Sequence, residues 1–148
     1  MVEIPHERDP LGRYSVKAKK GEIVRISTGE RGRPLALEVY REVLRAGAHP
    51  LLSVGFEEAN AIFYEEASAE QIAHMPPTKM REAKTIDADI VILAPGNTRH
   101  LSHIPPRKMA DRRKATKPIS EVLLRRVRWV LTNFPTEALA QETDRSLP

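Results

Sequence analysis

The chain has 148 residues and no cysteine, and its 24 basic and 20 acidic residues give a net charge of +4. This length suits one domain with a real core, and the lack of cysteine excludes disulfides and thiolate metal sites, as in a reducing compartment. No apolar run approaches the roughly 20 residues of a membrane span, and residues 1–13 lack the apolar core of a signal peptide, so we expect a cytoplasmic protein.

A strand, a helix and a second strand are predicted in the first third of the domain. A β-branched run near Ile23 is followed by a polar turn at 28–33 and then by apolar residues at helical spacing. Pro34 suits the first turn of this helix, and Gly47 suits its left-handed end. A second apolar run follows around Leu51. The pattern predicts a βαβ unit, in which the two strands are parallel.

Two short helices and the strongest strand signal come next. The capping box that begins at Ser68 predicts a short helix from about Ala69. We expect Thr78 to cap a second helix over 79–85. Residues 88–94, ADIVILA, are apolar without alternation, which predicts a strand that is buried on both faces.

The last third of the chain predicts further helices and one more strand. A helix over 107–115 begins after a Pro-Pro pair, and we expect Pro118 to interrupt it before a second helical segment at 119–127. Residues 128–132 form the fourth strand pattern, and Thr136 is expected to cap a final short helix.

Together these elements predict the fold class. Residues 1–20 are charged and lack apolar periodicity, so we expect a flexible lead-in followed by a single α/β domain over 21–148. Four strands that alternate with helices predict a three-layer domain with a mostly parallel sheet of about four strands and flanking helices. The strands lie near Ile23, Leu51, Ile90 and Val130.

The turn at 28–33 and the histidines are the first candidates for a functional site. The turn lies between a strand and a helix N-terminus but lacks the lysine-serine pair of a P-loop and the three glycines of a dinucleotide fingerprint. His100 and His103 are three residues apart, with Asp89 and Asp111 elsewhere and no third ligand at a defined spacing. We interpret these features as an ordinary turn and a solvated loop. We assign no catalytic, cofactor-binding or metal-binding residue.

A run of basic residues offers an alternative function. Such a stripe could contact a phosphate backbone, although Trp129 is its only aromatic residue and lies in a strand pattern. The alternative is therefore a free-standing binding module for nucleic acid or another polyanion through residues 107–128. The other interpretation is a solvated helix face or one that docks on an acidic neighbour. The basic residues are Arg107, Lys108, Arg112, Arg113, Lys114, Lys117, Arg125, Arg126 and Arg128.

Five stretches of the chain resemble a known family. They are YREVLRAGAHP (40–50), FYEEASAEQI (63–72), ADIVILA (88–94), NTRHLSHIPPRKMADRRKATKPI (97–119) and RWVLTNFPTEALAQE (128–142). In unbroken order over roughly residues 11–147, they resemble the N-terminal domain of the thermophilic metallo-aminopeptidases. This leucyl aminopeptidase-type family is also known as aminopeptidase T or aminopeptidase S. The last stretch, with its tryptophan, its proline-threonine turn and ALAQE, is the most specific.

The resemblance implies a dimeric, two-domain exopeptidase that uses two divalent metal ions, cobalt, zinc or magnesium, to remove N-terminal residues from peptides. It places the metal ligands in a C-terminal domain, so none of them maps onto this sequence. It also implies that this chain is a non-catalytic N-terminal domain, inactive alone, which shapes the substrate cavity and subunit contacts. Its partner is a catalytic metallopeptidase domain in the same chain or a separate one.

The resemblance also implies that some apolar residues lie at contacts with other subunits. Phe134, Leu139 and Leu147 lie in or after the last predicted turn, with little chain after them to cover all three. We expect these residues to form an interface, most simply in a two-fold homo-oligomer.

Overall fold

A four-stranded parallel sheet forms the centre of the protein, in a computed structural model that describes residues 2–3, 17–96 and 99–134. The elements in chain order are β1 (Val2–Glu3), β2 (Lys17–Ala18), β3 (Ile23–Gly29), α1 (Arg33–Arg45), β4 (His49–Gly55), α2 (Glu57–Glu66), α3 (Ala69–Ala73), α4 (Pro77–Thr85), β5 (Ala88–Leu93), α5 (Pro106–Arg126) and β6 (Arg128–Asn133). A 3-10 turn, Glu30–Gly32, joins β3 to α1.

The order of the strands across the sheet is β4-β3-β5-β6, and every neighbouring pair is parallel. The four apolar runs of the sequence are these four strands. The predicted three-layer α/β domain with a parallel sheet and flanking helices is therefore confirmed. The short strands β1 and β2 pair antiparallel with each other outside this sheet.

Alternate residues of the central strands form the core on one face of the sheet. Val24 and Ile26 of β3 and Ile90 of β5 pack there with Val39 and Val43 of α1. The same cluster includes Ala18, Ile92 and Val130. Successive strand residues point to opposite faces, so Arg25 and Asp89 lie on the other face, where Arg25 reaches Glu82 of α4. The sheet is thus covered by α1 on one side and by α4 and α5 on the other.

The predicted ends of two helices are also found. Pro34 lies in the first turn of α1, and Gly47 after its end has a positive φ of 76°, as a left-handed helix stop requires. At α3, Ser68 Oγ accepts the backbone N–H of Gln71, and the Gln71 side chain accepts the N–H of Ser68. This reciprocal pair is the predicted capping box.

The predicted interruption at Pro118 is wrong, because α5 runs unbroken from Pro106 to Arg126. A proline removes one backbone hydrogen bond and kinks a helix, but it does not end a helix that is held on both sides. Before Pro118, Arg112 donates to the carbonyl of Ile72, and after it Arg126 donates to the carbonyl of Ile86. Tertiary bonds therefore hold both halves of α5 in place.

Two smaller differences concern the start of α4 and the presence of α2. Helix α4 begins at Pro77 rather than Lys79, and its N-cap is Pro76, so Thr78 is not the cap. Proline at the first helical position presets φ and needs no N–H partner. Helix α2 was not predicted at all, and it contains no buried residue that would give a clear apolar stripe.

The N-terminal lead-in is described only in part. Residues 2–3 and 17–18 form the pair β1 and β2, and Ala18 is fully buried in the core. Residues 4–16 lie outside the described residues, as does the helix that was predicted to begin at Thr136. Among the described helices, none is both long and apolar enough to cross a lipid bilayer.

A charged cluster fastens α4 to the sheet. Arg25 Nε and Nη2 donate to the two carboxylate oxygens of Asp89 at 3.0 and 2.6 Å, and Nη1 donates to Glu82 at 2.8 Å. Asp89 is only 5% exposed. The hydrogen bonds to Asp89 raise the pKa of Arg25 above its usual value, although burial acts in the opposite direction. The guanidinium of Arg25 in β3 is therefore bonded to both β5 and α4.

We predict that Ile92→Ala lowers the free energy of unfolding by about 2–5 kcal/mol, as large-to-small core changes do. Ile92 is 1% exposed and belongs to the core cluster. Leu93→Ala is the matched control, because Leu93 is its neighbour on β5 but is 41% exposed. Urea unfolding of both variants measures the difference. A loss below about 1 kcal/mol for Ile92→Ala would show that β5 is peripheral.

We also predict that Asp89→Ala lowers the free energy of unfolding by about 3 kcal/mol, because it leaves a buried guanidinium with one carboxylate partner. The double variant Arg25→Met/Asp89→Leu should be less destabilised than Asp89→Ala, since no buried cation then remains. Lys117→Ala is the control: it removes the exposed Lys117–Glu121 pair and should cost at most about 0.5 kcal/mol. Equal losses for Asp89→Ala and Lys117→Ala would contradict a structural role for the cluster.

Candidate functional site

The direction of the chain across the sheet changes between β3 and β5. From β3 the chain passes through α1 to β4 on one side, and from β5 it passes through α5 to β6 on the other. In open α/β sheets, ligands bind in the crevice outside the carboxyl ends of such a pair of strands. The loops that follow β3 and β5 are therefore the first candidate site.

The turn after β3 is closely packed against β5. Thr28 is buried, and its hydroxyl donates to the Gly29 carbonyl at 3.0 Å. A Cβ atom on Gly32 would lie 2.1 Å from Thr28 Oγ1 and 3.2 Å from Ile92 Cγ2. Glycine is needed here because the start of α1 approaches the sheet so closely. The packing alone explains this glycine, without a phosphate ligand.

Charged side chains from two elements close the other side of the crevice around Gly96. The Glu57 carboxylate at the start of α2 accepts the backbone N–H of Gly96 at 2.5 Å. A Cβ atom on Gly96 would lie 2.4 Å from Arg31 Nε, so the Arg31 side chain rests on this glycine. A carboxylate of the chain itself thus takes an N–H group that a bound anion would use. This arrangement agrees with the interpretation of residues 28–33 as an ordinary turn.

In the described part of the chain, His103 meets one carboxylate but not the set of ligands that a metal site needs. His103 Nε2 lies 2.6 Å from Glu65 Oε1, and both side chains are about half exposed. Asp89 is engaged by Arg25, and Asp111 is exposed on α5. Within residues 2–3, 17–96 and 99–134, no three His, Asp or Glu side chains are grouped so that they could hold a metal ion.

Four of the nine basic residues of the 107–128 run serve as structural donors. Lys108 Nζ donates to the Tyr64 carbonyl at 2.8 Å. Arg112 donates to the carbonyls of Ile72 and His74, and its guanidinium lies 4.9 Å from the centre of the Phe63 ring. Arg126 and Arg128 bond to the Ile86 carbonyl and to Glu22. These cations hold α5 and β6 to the rest of the domain.

Three of the five remaining basic residues on α5 lie on a face of the helix that is not purely basic. Arg107, Lys114 and Arg125 are exposed and recur at helical spacing, so they share one face of the helix. Asp111 and Glu121 lie on the same face between them. Alternating signs weaken the field that a polyanion would meet.

Among the surface grooves of the described residues, two large ones lie beside helices. The groove between α3 and α5 has a volume of about 750 Å³, with Ile72 in its floor and Arg107 and Lys114 at its rim. The groove between α1 and β4 has a volume of about 640 Å³ and is lined by Leu37 and Leu52, among others. Both offer apolar surface beside cations, and neither groove contains an activated nucleophile.

The predicted interface residues are only partly described. Phe134 is half-buried, packs against the core cluster and donates its backbone N–H to the Leu93 carbonyl at 2.8 Å. Leu139 and Leu147 lie outside the described residues. The interface at Phe134, Leu139 and Leu147 stays a prediction.

Sequence reasoning missed two features of the sites. The sequence contained a signal for the Arg25–Asp89 pair, because each of these charged residues interrupts an apolar run. The two runs form the neighbouring strands β3 and β5. The contact of Glu57 with Gly96 had none, because it joins residues 39 positions apart and depends on α2, which was not predicted.

Comparisons with known proteins fit this architecture. The family model of the thermophilic metalloproteases (M29) matches residues 9–147. The structure is similar to that of wild-type AmpT from Thermus thermophilus, with a TM-score of 0.61 and 18% sequence identity over 80% of this chain. The match covers 32% of the AmpT chain, so this chain spans about a third of the length of that protein. No curated protein matches the chain. Because the family model covers nearly all of its residues, the chain belongs to the thermophilic metalloprotease family M29.

Proposed function

We propose that residues 21–148 are a non-catalytic domain of a metal-dependent aminopeptidase, one that shapes the substrate cavity and subunit contacts. The observation that carries this proposal is the match of nearly the whole chain to the family together with its coverage of only a third of AmpT. The complete enzyme would remove N-terminal residues from peptides in the cytoplasm. Its catalytic domain would belong to the same chain or to a separate partner.

The metal ions of the family would be held outside this chain. A dinuclear hydrolase fixes several carboxylate and imidazole ligands around its metals, so that a bound water ionises near neutral pH. The described residues do not fit such a site, since no three candidate ligands are grouped among them. We propose that two divalent ions, of cobalt, zinc or magnesium, are bound by the partner domain.

The carboxyl edge of the sheet is the proposed rim of the substrate cavity. Arg31 and Glu57 lie together there against Gly96, so one cation and one anion meet at the crevice. A peptide has a positively charged amino terminus and a negatively charged carboxylate terminus. The anion of this rim would attract the first, and the cation would attract the second. The polar loops after β3 and β5 support this role because this edge is where α/β sheets place ligands.

We predict that the chain alone does not hydrolyse leucine p-nitroanilide in the presence of cobalt or zinc. The physical reason is that no ligand set can hold a metal-bound hydroxide among the described residues. The assay measures p-nitroaniline release with and without EDTA. Metal-dependent turnover that EDTA abolishes would contradict the proposal. The variant His100→Ala/His103→Ala would then test whether these histidines take part in that activity.

The alternative function, binding of nucleic acid or another polyanion through residues 107–128, gives a prediction of the opposite kind. We expect no saturable binding of labelled DNA or RNA in fluorescence anisotropy at about 50 mM salt, because phosphate binding depends on clustered, free cations. Binding that weakens steeply with added salt and is lost in Arg107→Glu/Lys114→Glu, but not in Lys79→Glu, would support the alternative. Lys79 is an exposed cation on α4.

A further inference from the structure

The groove between α3 and α5 has a floor of small side chains. Four alanines line it, among them Ala69 and Ala73 of α3, and the buried Ile72 lies between these two. Its volume of about 750 Å³ is typical of a cleft that binds a small molecule. Because an alanine side chain ends at Cβ, the floor leaves room for an apolar side chain of a ligand.

Three charged side chains of α5 border the same groove. Arg107, Asp111 and Lys114 are spaced four and three residues apart, so they form a row on one face of the helix with the signs plus, minus, plus. All three are exposed, and within the described residues none of their side chains has a hydrogen-bond or ion-pair partner. Lys108, the other charged residue of the groove, donates to the Tyr64 carbonyl. The row of three is therefore available to a ligand.

The order of the signs decides which ligand the row fits. A polyanion would meet the carboxylate of Asp111 between the two cations, and this carboxylate would repel it. A short peptide with both ends free carries an ammonium group and a carboxylate, so it can pair with Asp111 and with a neighbouring cation at the same time. Arg107 and Asp111 lie about 6 Å apart along the helix axis, and two extended residues span roughly 7 Å. The row therefore matches a dipeptide in both charge and length.

We propose that the groove between α3 and α5 binds short, unblocked peptides with apolar side chains. The peptide ammonium group pairs with Asp111, the peptide carboxylate pairs with Arg107 or Lys114, and an apolar side chain lies on Ile72 and the alanines. Because exposed ion pairs contribute little each, the dissociation constant is on the order of millimolar. The proposal rests on the proposed function in one respect, the choice of peptides as the ligand class.

The position of the groove in the fold gives such a site a role. Arg126, at the end of α5, reaches the Ile86 carbonyl just before β5, so this end of the helix lies at the amino edge of the sheet. The 21 residues of α5 are about 31 Å long, whereas the six residues of β6 span about 20 Å. The first turns of α5, which border the groove, therefore lie toward the carboxyl edge. Peptides bound there are held near the proposed rim of the substrate cavity.

The first test is titration of the isotope-labelled 148-residue chain with leucyl-leucine, followed through the chemical shifts of its backbone amides. We expect saturable shifts in α3 and in the first half of α5. Acetylation of the peptide's ammonium group should raise the dissociation constant about threefold, and so should amidation of its carboxylate, because each change removes one of the two ion pairs.

The second test reverses the charge at the centre of the row. Asp111→Lys should weaken the binding of leucyl-leucine at least about fivefold, because a cation then faces the peptide's ammonium group. The same variant should bind the acetylated peptide more tightly than the wild-type chain does, because the only charge left on that peptide is a carboxylate. Glu121→Lys makes the same change on α5 outside the groove and should leave both affinities unchanged. Damage to the fold would weaken both peptides together, so opposite changes identify charge pairing.

The third test fills the floor of the groove without changing its charges. Ala73→Leu places a larger side chain where the apolar side chain of the peptide would lie, so we expect the saturable shifts to be lost. Ala110→Leu is the matched control, since Ala110 is an exposed alanine of α5 outside the groove, and it should leave binding unchanged. Circular dichroism checks that both variants are folded.

Three results would overturn the proposal. One is the absence of saturable shifts at tens of millimolar leucyl-leucine. Another is a set of shifts around Arg31 and Glu57 instead of α3 and α5, which would place the peptide at the rim. The third is equal affinity for the free and the blocked peptides, which would exclude pairing with the charge row. Each of these results leaves the proposed non-catalytic role intact, because the release of p-nitroaniline tests that role separately.

Discussion

The salt-bridged contact between β3 and β5 organises the whole domain. The two strands carry the core on one face, through Val24, Ile26 and Ile90, and the Arg25–Asp89 pair on the other. Taking these charges out of water costs free energy, which is offset only because the guanidinium meets two carboxylates in good geometry. The third partner, Glu82, belongs to α4, so the same cation that pairs the strands also sets where the second helical layer begins.

The strand order that follows from this contact decides where polar groups gather. Since the chain leaves β3 and β5 in opposite directions, their carboxyl ends are left without a helix directly above them. The protein fills that space with its own Arg31 and Glu57, both in contact with Gly96. A crevice that holds nucleotides in many α/β proteins is thus partly occupied by the chain itself. This is compatible with a domain that supplies a wall and leaves chemistry to a partner.

Much of the fold could be predicted from the sequence because it depends on local patterns. The strand at 88–94, the Ser68 capping box and the helix stop at Gly47 each depend on neighbouring residues. The failure at Pro118 depended on distant contacts, because α5 continues through this proline where Arg112 and Arg126 bond to other elements. The candidate site was the least predictable part, because its contacts join separate loops and α2 has no buried stripe. Family membership followed from the sequence, whereas the place of each charge did not.

The two ends of α3 are satisfied in different ways, and this has a consequence for the stability of the helix. Five residues are too few for a helix that stands alone in water. Its first turn is capped locally by Ser68, but the carbonyls of Ile72 and His74 near its end accept hydrogen bonds from Arg112, about 40 residues further along the chain. Closing that long loop costs entropy before the bonds can form. The C-terminal end of α3 is thus completed only when α5 docks, so the stability of this short helix depends on the position of α5.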